Sequence, residues 1–221
     1  MIAKDLINYM IPPLKPTDDL SKAKEWMEEL RVTELPVADQ GIFLGLITEE
    51  QILDADAQLH FVKEIGPLIL EAKIAFDQHY YELLKLAYAL GVRMVAVLDD
   101  NDCYTGVVSV EDVVEAFASA SSVQIPGAIL LLTMEMRDYS LSDISKIIEN
   151  NEASVLSSHM LPHPSEPGKI QVTLKTNKEE ISHIANNLEA RGYNVTRLFS
   201  NRKYQEEDQD RYESLMRFLK I

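Results

Sequence analysis

An internal repeat fills the first half of the 221-residue chain. Leu20, Ala23, Met27, Leu30 and Val32 lead into Leu35-Pro36-Val37. Sixty residues on, Tyr80, Leu83, Ala87, Leu90 and Val92 lead into Val95-Ala96-Val97. In each copy apolar residues recur at steps of three and four and then become a short β-rich run. That pattern predicts one amphipathic helix followed by one strand, twice. Asp19 or Thr17 is placed to cap the first helix. Asp39-Gln40-Gly41 and Asp99-Asp100-Asn101-Asp102 then supply hairpin chemistry. The second turn is one residue longer, so the offset becomes 61. Strands follow at Ile42–Thr48 and Cys103–Ser109, and helices at Glu49–Ala55 and Val110–Ala118. Pro13-Leu14-Lys15-Pro16 and Pro67-Leu68-Ile69-Leu70 are read as the extended piece opening each copy. A unit of about 60 residues buries too little surface to be stable alone. Two copies packed face to face around their sheets remove that difficulty.

Charge divides the chain as well. Residues 1–120 hold 22 acids and 9 bases, whereas residues 121–221 hold 14 and 12. The step falls at the small, polar Ser119–Gln124, closed by Pro126-Gly127, which reads as a boundary. A formal charge of −15 argues against duplex nucleic acid or an anionic membrane as partner. The single cysteine, Cys103, cannot form an internal disulfide, and the N-terminus carries no signal-peptide pattern. The longest apolar stretch, Ala128 to Met134, is too short to span a bilayer. The expectation is a cytoplasmic protein.

Leu35-Pro36-Val37 followed by Gly45-Leu46-Ile47-Thr48 and a helix resembles a cystathionine-β-synthase (CBS) domain. Val95-Ala96-Val97 followed by Gly106-Val107-Val108-Ser109-Val110-Glu111-Asp112 resembles it again. The resemblance implies a pseudo-symmetric pair of CBS domains, a Bateman module, at residues 1–58 and 59–118. It further implies that a Gly-x-x-Ser/Thr-x-x-Asp segment binds the ribose of an adenosine ligand. A carboxylate accepts both donors of a ribose diol, and a helix N-terminus favours phosphate. Gly106, Val108, Ser109 and Asp112 keep the pattern in the second copy. Gly45 and Thr48 are present in the first copy, but Gln51 replaces the acid, so the second-copy site is favoured. By position in the pattern, Met94 and Val95 would touch the base and Arg93 a phosphate, with Lys63 and Lys73 as other cations. Ser-x-x-Asp is also an ordinary capping box. Asp112→Ala separates the two: a mere cap loses about 1 kcal/mol of stability, whereas a nucleotide site loses affinity strongly.

The second half reads strand (Ile129–Met136), helix (Ser140–Asn150), strand (Ala153–Met160), strand (Lys169–Thr176), helix (Lys178–Arg191), strand (Tyr193–Phe199). This β-α-β-β-α-β order is the ferredoxin-like split motif. With Arg191-Gly192-Tyr193-Asn194-Val195 before the last strand, residues 126–199 resemble an ACT domain, a regulatory module that often binds amino acids. The loop Arg137-Asp138-Tyr139-Ser140 lacks the glycine that meets such a ligand. His159 and His163 straddle a proline-rich turn with no third ligand nearby, so no metal is expected. Residues 200–221 end in Tyr212, Leu215, Met216 and Leu219 at helical spacing, a stripe that needs a surface to pack on.

The fold expectation is therefore α+β: a CBS pair, a ferredoxin-like ACT-like domain and a helical tail. No phosphate loop, zinc-protease motif or nucleophile elbow is present, and acids flank Cys103, so no enzymatic activity is expected. The expected function is a regulatory protein that senses an adenosine compound (AMP, ADP, ATP, S-adenosylmethionine or a dinucleotide). It would form a homodimer and act on a separate target protein. The alternative is a structural dimerisation protein with degenerate, unliganded sites. The negative charge favours ligands of little or balanced charge over ATP.

Overall fold

A computed structural model describes residues 1–66, 68–119 and 121–200. The tail expected at residues 200–221 lies, from residue 201 on, outside the described residues. The chain divides into two compact units, Met1–Ser119 and Ala120–Ile221.

The first unit is built twice from the same parts. Helix α1 (Leu20–Leu30) buries Leu20, Ala23 and Met27 on one face. It ends at Arg31, which takes the left-handed conformation at φ 55°. Strands β1 (Glu34–Asp39) and β2 (Ile42–Thr48) form an antiparallel hairpin, followed by α2 (Glu49–Leu53). The second copy has β3 (Lys73–Ala75), α3 (Tyr80–Leu90), β4 (Met94–Leu98), β5 (Tyr104–Ser109) and α4 (Val110–Ser119). Helix α3 buries Leu83 and Ala87 and stops at Gly91, at φ 69°. Arg31 therefore does, at a steric cost, what glycine does freely in the other copy.

Register makes the repeat quantitative. Leu14 bridges Val37 in parallel, as Ile74 pairs with Val97. Gly45 faces Val37, as Gly106 faces Val97, and a bulge follows each pair. The extended pieces correct the sequence alignment: Leu14 corresponds to Ile74, not to the Pro67–Leu70 stretch. That stretch corresponds instead to the chain start. Ile69 exchanges two backbone hydrogen bonds with Leu46 of the first copy (3.0 and 3.1 Å), and Asn8 donates to Val107 of the second (2.8 Å). Each copy thus lends its opening segment to the other's last strand, which completes sheet edges that a single copy would leave bare.

The swap explains the two strand glycines. A Cβ on Gly45 would stand 2.6 Å from Leu68 Cβ, and one on Gly106 would stand 2.5 Å from Ile7 Cγ2. The other copy's chain takes the space in front of each glycine. The joint core contains Leu14, Leu35, Leu46, Ile47, Leu83 and Met94, each under 2% exposed. Phe43 and Tyr104 stack across the repeat with ring centroids 6.1 Å apart.

In the second unit, a short helix α5 (Ser121–Gln124) precedes β6 (Ile129–Glu135), α6 (Leu141–Glu149), β7 (Val155–Pro162), β8 (Lys169–Thr176), α7 (Ser182–Ala190) and β9 (Asn194–Phe199). The sheet order is β7-β8-β6-β9, with every neighbour antiparallel. Two crossovers interleave in this way only in the split βαβ topology. Ile144, Ile147 and Ile148 of α6 and Ile184 and Leu188 of α7 cover one sheet face, where Leu130, Leu132, Val172 and Leu174 are buried. Leu141, the first residue of α6, is 39% exposed. Helix α7 starts four residues later than the sequence reading placed it. The Lys178 carbonyl accepts from Ala128 N–H (2.8 Å) and Thr176 Oγ1 (3.0 Å), which holds that residue to the sheet end.

Candidate functional site

The start of β1, the start of β4, the end of β5 and the N-terminal segment converge in the first unit. There Asn8, Met10, Glu34, Met94, Ser109 and Asp112 line a cavity of ≈270 Å³, together with Arg31, Arg93 and Glu111. Strand β5 ends at Ser109, and α4 begins at once, which aims the first turn of the helix at this space.

Asp112 is the most connected side chain here. Its Oδ2 accepts from Ser109 N–H (2.8 Å) and Ser109 Oγ (2.6 Å), and its own N–H donates to Ser109 Oγ (3.0 Å). This is a reciprocal capping box. Its Oδ1 accepts from the Asn8 amide at 2.9 Å. A carboxylate offers about four lone-pair positions, and three are taken. One position is left for a ribose hydroxyl; a bidentate diol requires Asn8 to yield. Capping and ligand binding, posed as alternatives by the sequence, fall on different lone pairs of one carboxylate.

Glu34 is the buried charge of the site, 5% exposed. Its carboxylate accepts from Arg93 N–H (2.9 and 3.2 Å to the two oxygens) and from Met94 N–H (3.3 Å). Burial raises its pKa above the ordinary value, against the lowering effect of those two donors. The Arg93 guanidinium lies 3.9 Å from Glu111, both side chains largely in solvent. An exposed pair of that length holds neither partner firmly.

The sequence-predicted residues divide. Ser109, Asp112, Met94 and Arg93 come together on the cavity. Val95 and Val108 pair across β4 and β5 with their side chains fully in the core, and Gly106 lies under Ile7. Thr48 lies at the other copy's helix start, not on this cavity. Its Oγ1 accepts from Gln51 N–H (3.2 Å), and Gln51 Oε1 accepts from Thr48 N–H (3.0 Å). Lys63 sits over the Phe61 ring, 5.4 Å from its centroid, and Lys73 begins β3; neither lines the cavity. Asn8 and Glu34 were missed. Asn8 reaches the site only through the swap, which no local pattern reveals. Glu34 carried a signal, because it is an acid where the repeat has Met94.

In the second unit His163 serves its own turn, Nδ1 accepting from Ser165 and Glu166 N–H (3.3 and 3.1 Å). Among the described residues no helix is long and apolar enough to cross a membrane.

Residues 3–58 match the family model of the CBS domain. The first unit is thus a CBS domain followed by a second copy of the same element order and register, which is the tandem CBS arrangement. The chain is similar to a CBS domain pair/ACT domain protein from Thermotoga maritima, at 20% identity and a TM-score of 0.48. That alignment covers 55% of this chain and 99% of the other. The CBS domains of a transcriptional regulator from Streptococcus pneumoniae align at 19% identity and a TM-score of 0.47, over 52% of this chain and 98% of theirs. CBSX2, solved in complex with AMP, aligns at 19% identity and a TM-score of 0.47, over 52% of this chain and 95% of its own. Comparison with curated proteins gives no match.

Proposed function

We propose that this chain is a regulatory protein that binds an adenosine-containing compound in the second-copy cleft of its CBS pair. Binding there would be relayed to a separate target protein through the ACT-like unit of a cytoplasmic homodimer. One observation carries the reading: Ser109 and Asp112 meet Asn8 and Met94 around one cavity, with a lone pair of Asp112 still open. The arrangement offers a hydroxyl and a carboxylate for a ribose, and the polarisable Met94 thioether for a base. Regulation requires the ligand to favour one of two packings of the pair.

The reading in which this cleft is degenerate and the chain only assembles draws on the same carboxylate, since three of its four positions are already used internally. Thermal unfolding with AMP, ADP, ATP, S-adenosylmethionine, 5′-methylthioadenosine and NAD separates the two. A ligand at 100 times its dissociation constant stabilises by about 2.7 kcal/mol. The proposal expects a saturable shift with at least one of these. No shift with any at millimolar concentration leaves the assembly reading.

A further inference from the structure

We propose that Glu34 selects the ligand by charge, so that the cleft takes adenosine compounds whose 5′ substituent is uncharged or cationic and turns away 5′-phosphates. This deepens the adenosine reading and rests on it.

The argument begins with the repeat. Residue 34 of the first copy stands where residue 94 stands in the second, each at the start of its central strand. Met94 fills the position with an apolar side chain 1% exposed, whereas Glu34 places a carboxylate there at 5%. An acid in such a position is disfavoured by desolvation unless donors compensate it. The donors are the backbone N–H groups of Arg93 and Met94. Both residues line the cavity, so these are amides that a bound anion would otherwise compete for. Glu34 therefore acts twice against an anion: it adds a negative charge and uses the amides that would have answered one.

The remaining charges do not reverse this. Arg93 extends into solvent toward Glu111, and Arg31 is exposed on its left-handed turn. A buried charge is screened less than an exposed one, so Glu34 dominates the potential inside the cleft. Asp112, which also lines the cavity, has the same sign. A sulfonium, an ammonium or a neutral thioether at the 5′ position meets attraction or no field there.

The test uses a pair of probes that differ at that position alone, AMP and 5′-methylthioadenosine, with S-adenosylmethionine as the cationic third. Dissociation constants are measured by calorimetry on the full chain, wild type and Glu34→Gln. Wild type is expected to bind 5′-methylthioadenosine and S-adenosylmethionine more tightly than AMP. Glu34→Gln, which keeps the shape and one acceptor, is expected to move the AMP to 5′-methylthioadenosine affinity ratio about tenfold toward AMP. Glu34→Met, which copies the residue of the other repeat, supplies the same comparison should the glutamine variant fold poorly, and is expected to move it the same way. A ratio unchanged in both variants, with wild type still binding the nucleosides, overturns the role of Glu34 alone. Binding of none of the three to wild type overturns the adenosine reading and this assignment with it.

Discussion

Asn8 and Asp112 are 104 residues apart in sequence and joined by one 2.9 Å hydrogen bond. That bond ties the swapped N-terminal segment to the helix whose start faces the cleft. Asp112→Ala removes the acceptor of three donors at a half-buried position: Ser109 N–H, Ser109 Oγ and the Asn8 amide. Loss of a capping side chain costs about 1 kcal/mol. Hydrogen bonds to a charged group are worth about 1.5–3 kcal/mol each when buried, and less here because water reaches the freed donors. The expected destabilisation is about 2–4 kcal/mol, well above a cap alone. Asn8→Ala should cost about 1–2 kcal/mol, and the double variant should show a coupling energy of about 1–2 kcal/mol. Trp26 is the only tryptophan in the chain and packs on the core of the first unit. Its fluorescence during urea unfolding therefore follows that unit, which avoids reading a two-unit transition as one. A coupling energy below about 0.3 kcal/mol would mean that Asp112 is a local cap and that the tie across the repeat carries no stability.

Gly45→Ala should destabilise the first unit by about 2–4 kcal/mol, because the new methyl group meets Leu68 Cβ and its backbone at a φ of 133°. Gly106→Ala should cost less, since the atom in its way is the end of the Ile7 side chain; equal losses in urea titrations would contradict this account of the swap. Tyr104 buries a hydroxyl with no protein partner among the described residues, and burial pushes its pKa well above the usual value. Tyr104→Phe should be neutral or stabilising by about 1 kcal/mol in thermal unfolding, and a loss beyond 1 kcal/mol would reveal a bond that this geometry lacks. Glu34 has a raised pKa in the folded state, so the folded chain holds that proton more tightly than the unfolded chain. Its contribution must become less favourable as pH rises from the unfolded carboxylate value through the folded one. The stability of Glu34→Gln relative to wild type should therefore increase over that window, and the opposite slope would show that the Arg93 and Met94 amides outweigh desolvation.

The repeat was legible because packing and turn chemistry write it twice. Leu20, Ala23 and Met27 match Tyr80, Leu83 and Ala87 in spacing, and the hairpins follow at matching places. The order of the second unit was equally plain, since Ile170, Val172 and Leu174 alternate and Ile144, Ile147 and Ile148 follow a helical period. The opening segments were not legible. Asn8 and Ile69 pair with the opposite copy, and periodicity within one segment says nothing about which partner strand receives it. The same gap hid Asn8 from the site, and with it the chain that abuts Gly45 and Gly106. Ser109 and Asp112 were visible as a local motif because their partners lie three residues apart. Glu34 needed the comparison of two repeat positions, an acid against Met94, to stand out from the exposed acids of the same half.

The central claim is that an adenosine ligand occupies the space between Asn8, Glu34, Met94 and Asp112. Amide hydrogen exchange of the full chain, with and without saturating 5′-methylthioadenosine, tests it most directly. The account predicts slowed exchange confined to residues 8–11, 33–34, 93–94 and 109–112, lost in Asp112→Asn. Protection at Thr48–Gln51 or in the second unit, with none at these four segments, would contradict it.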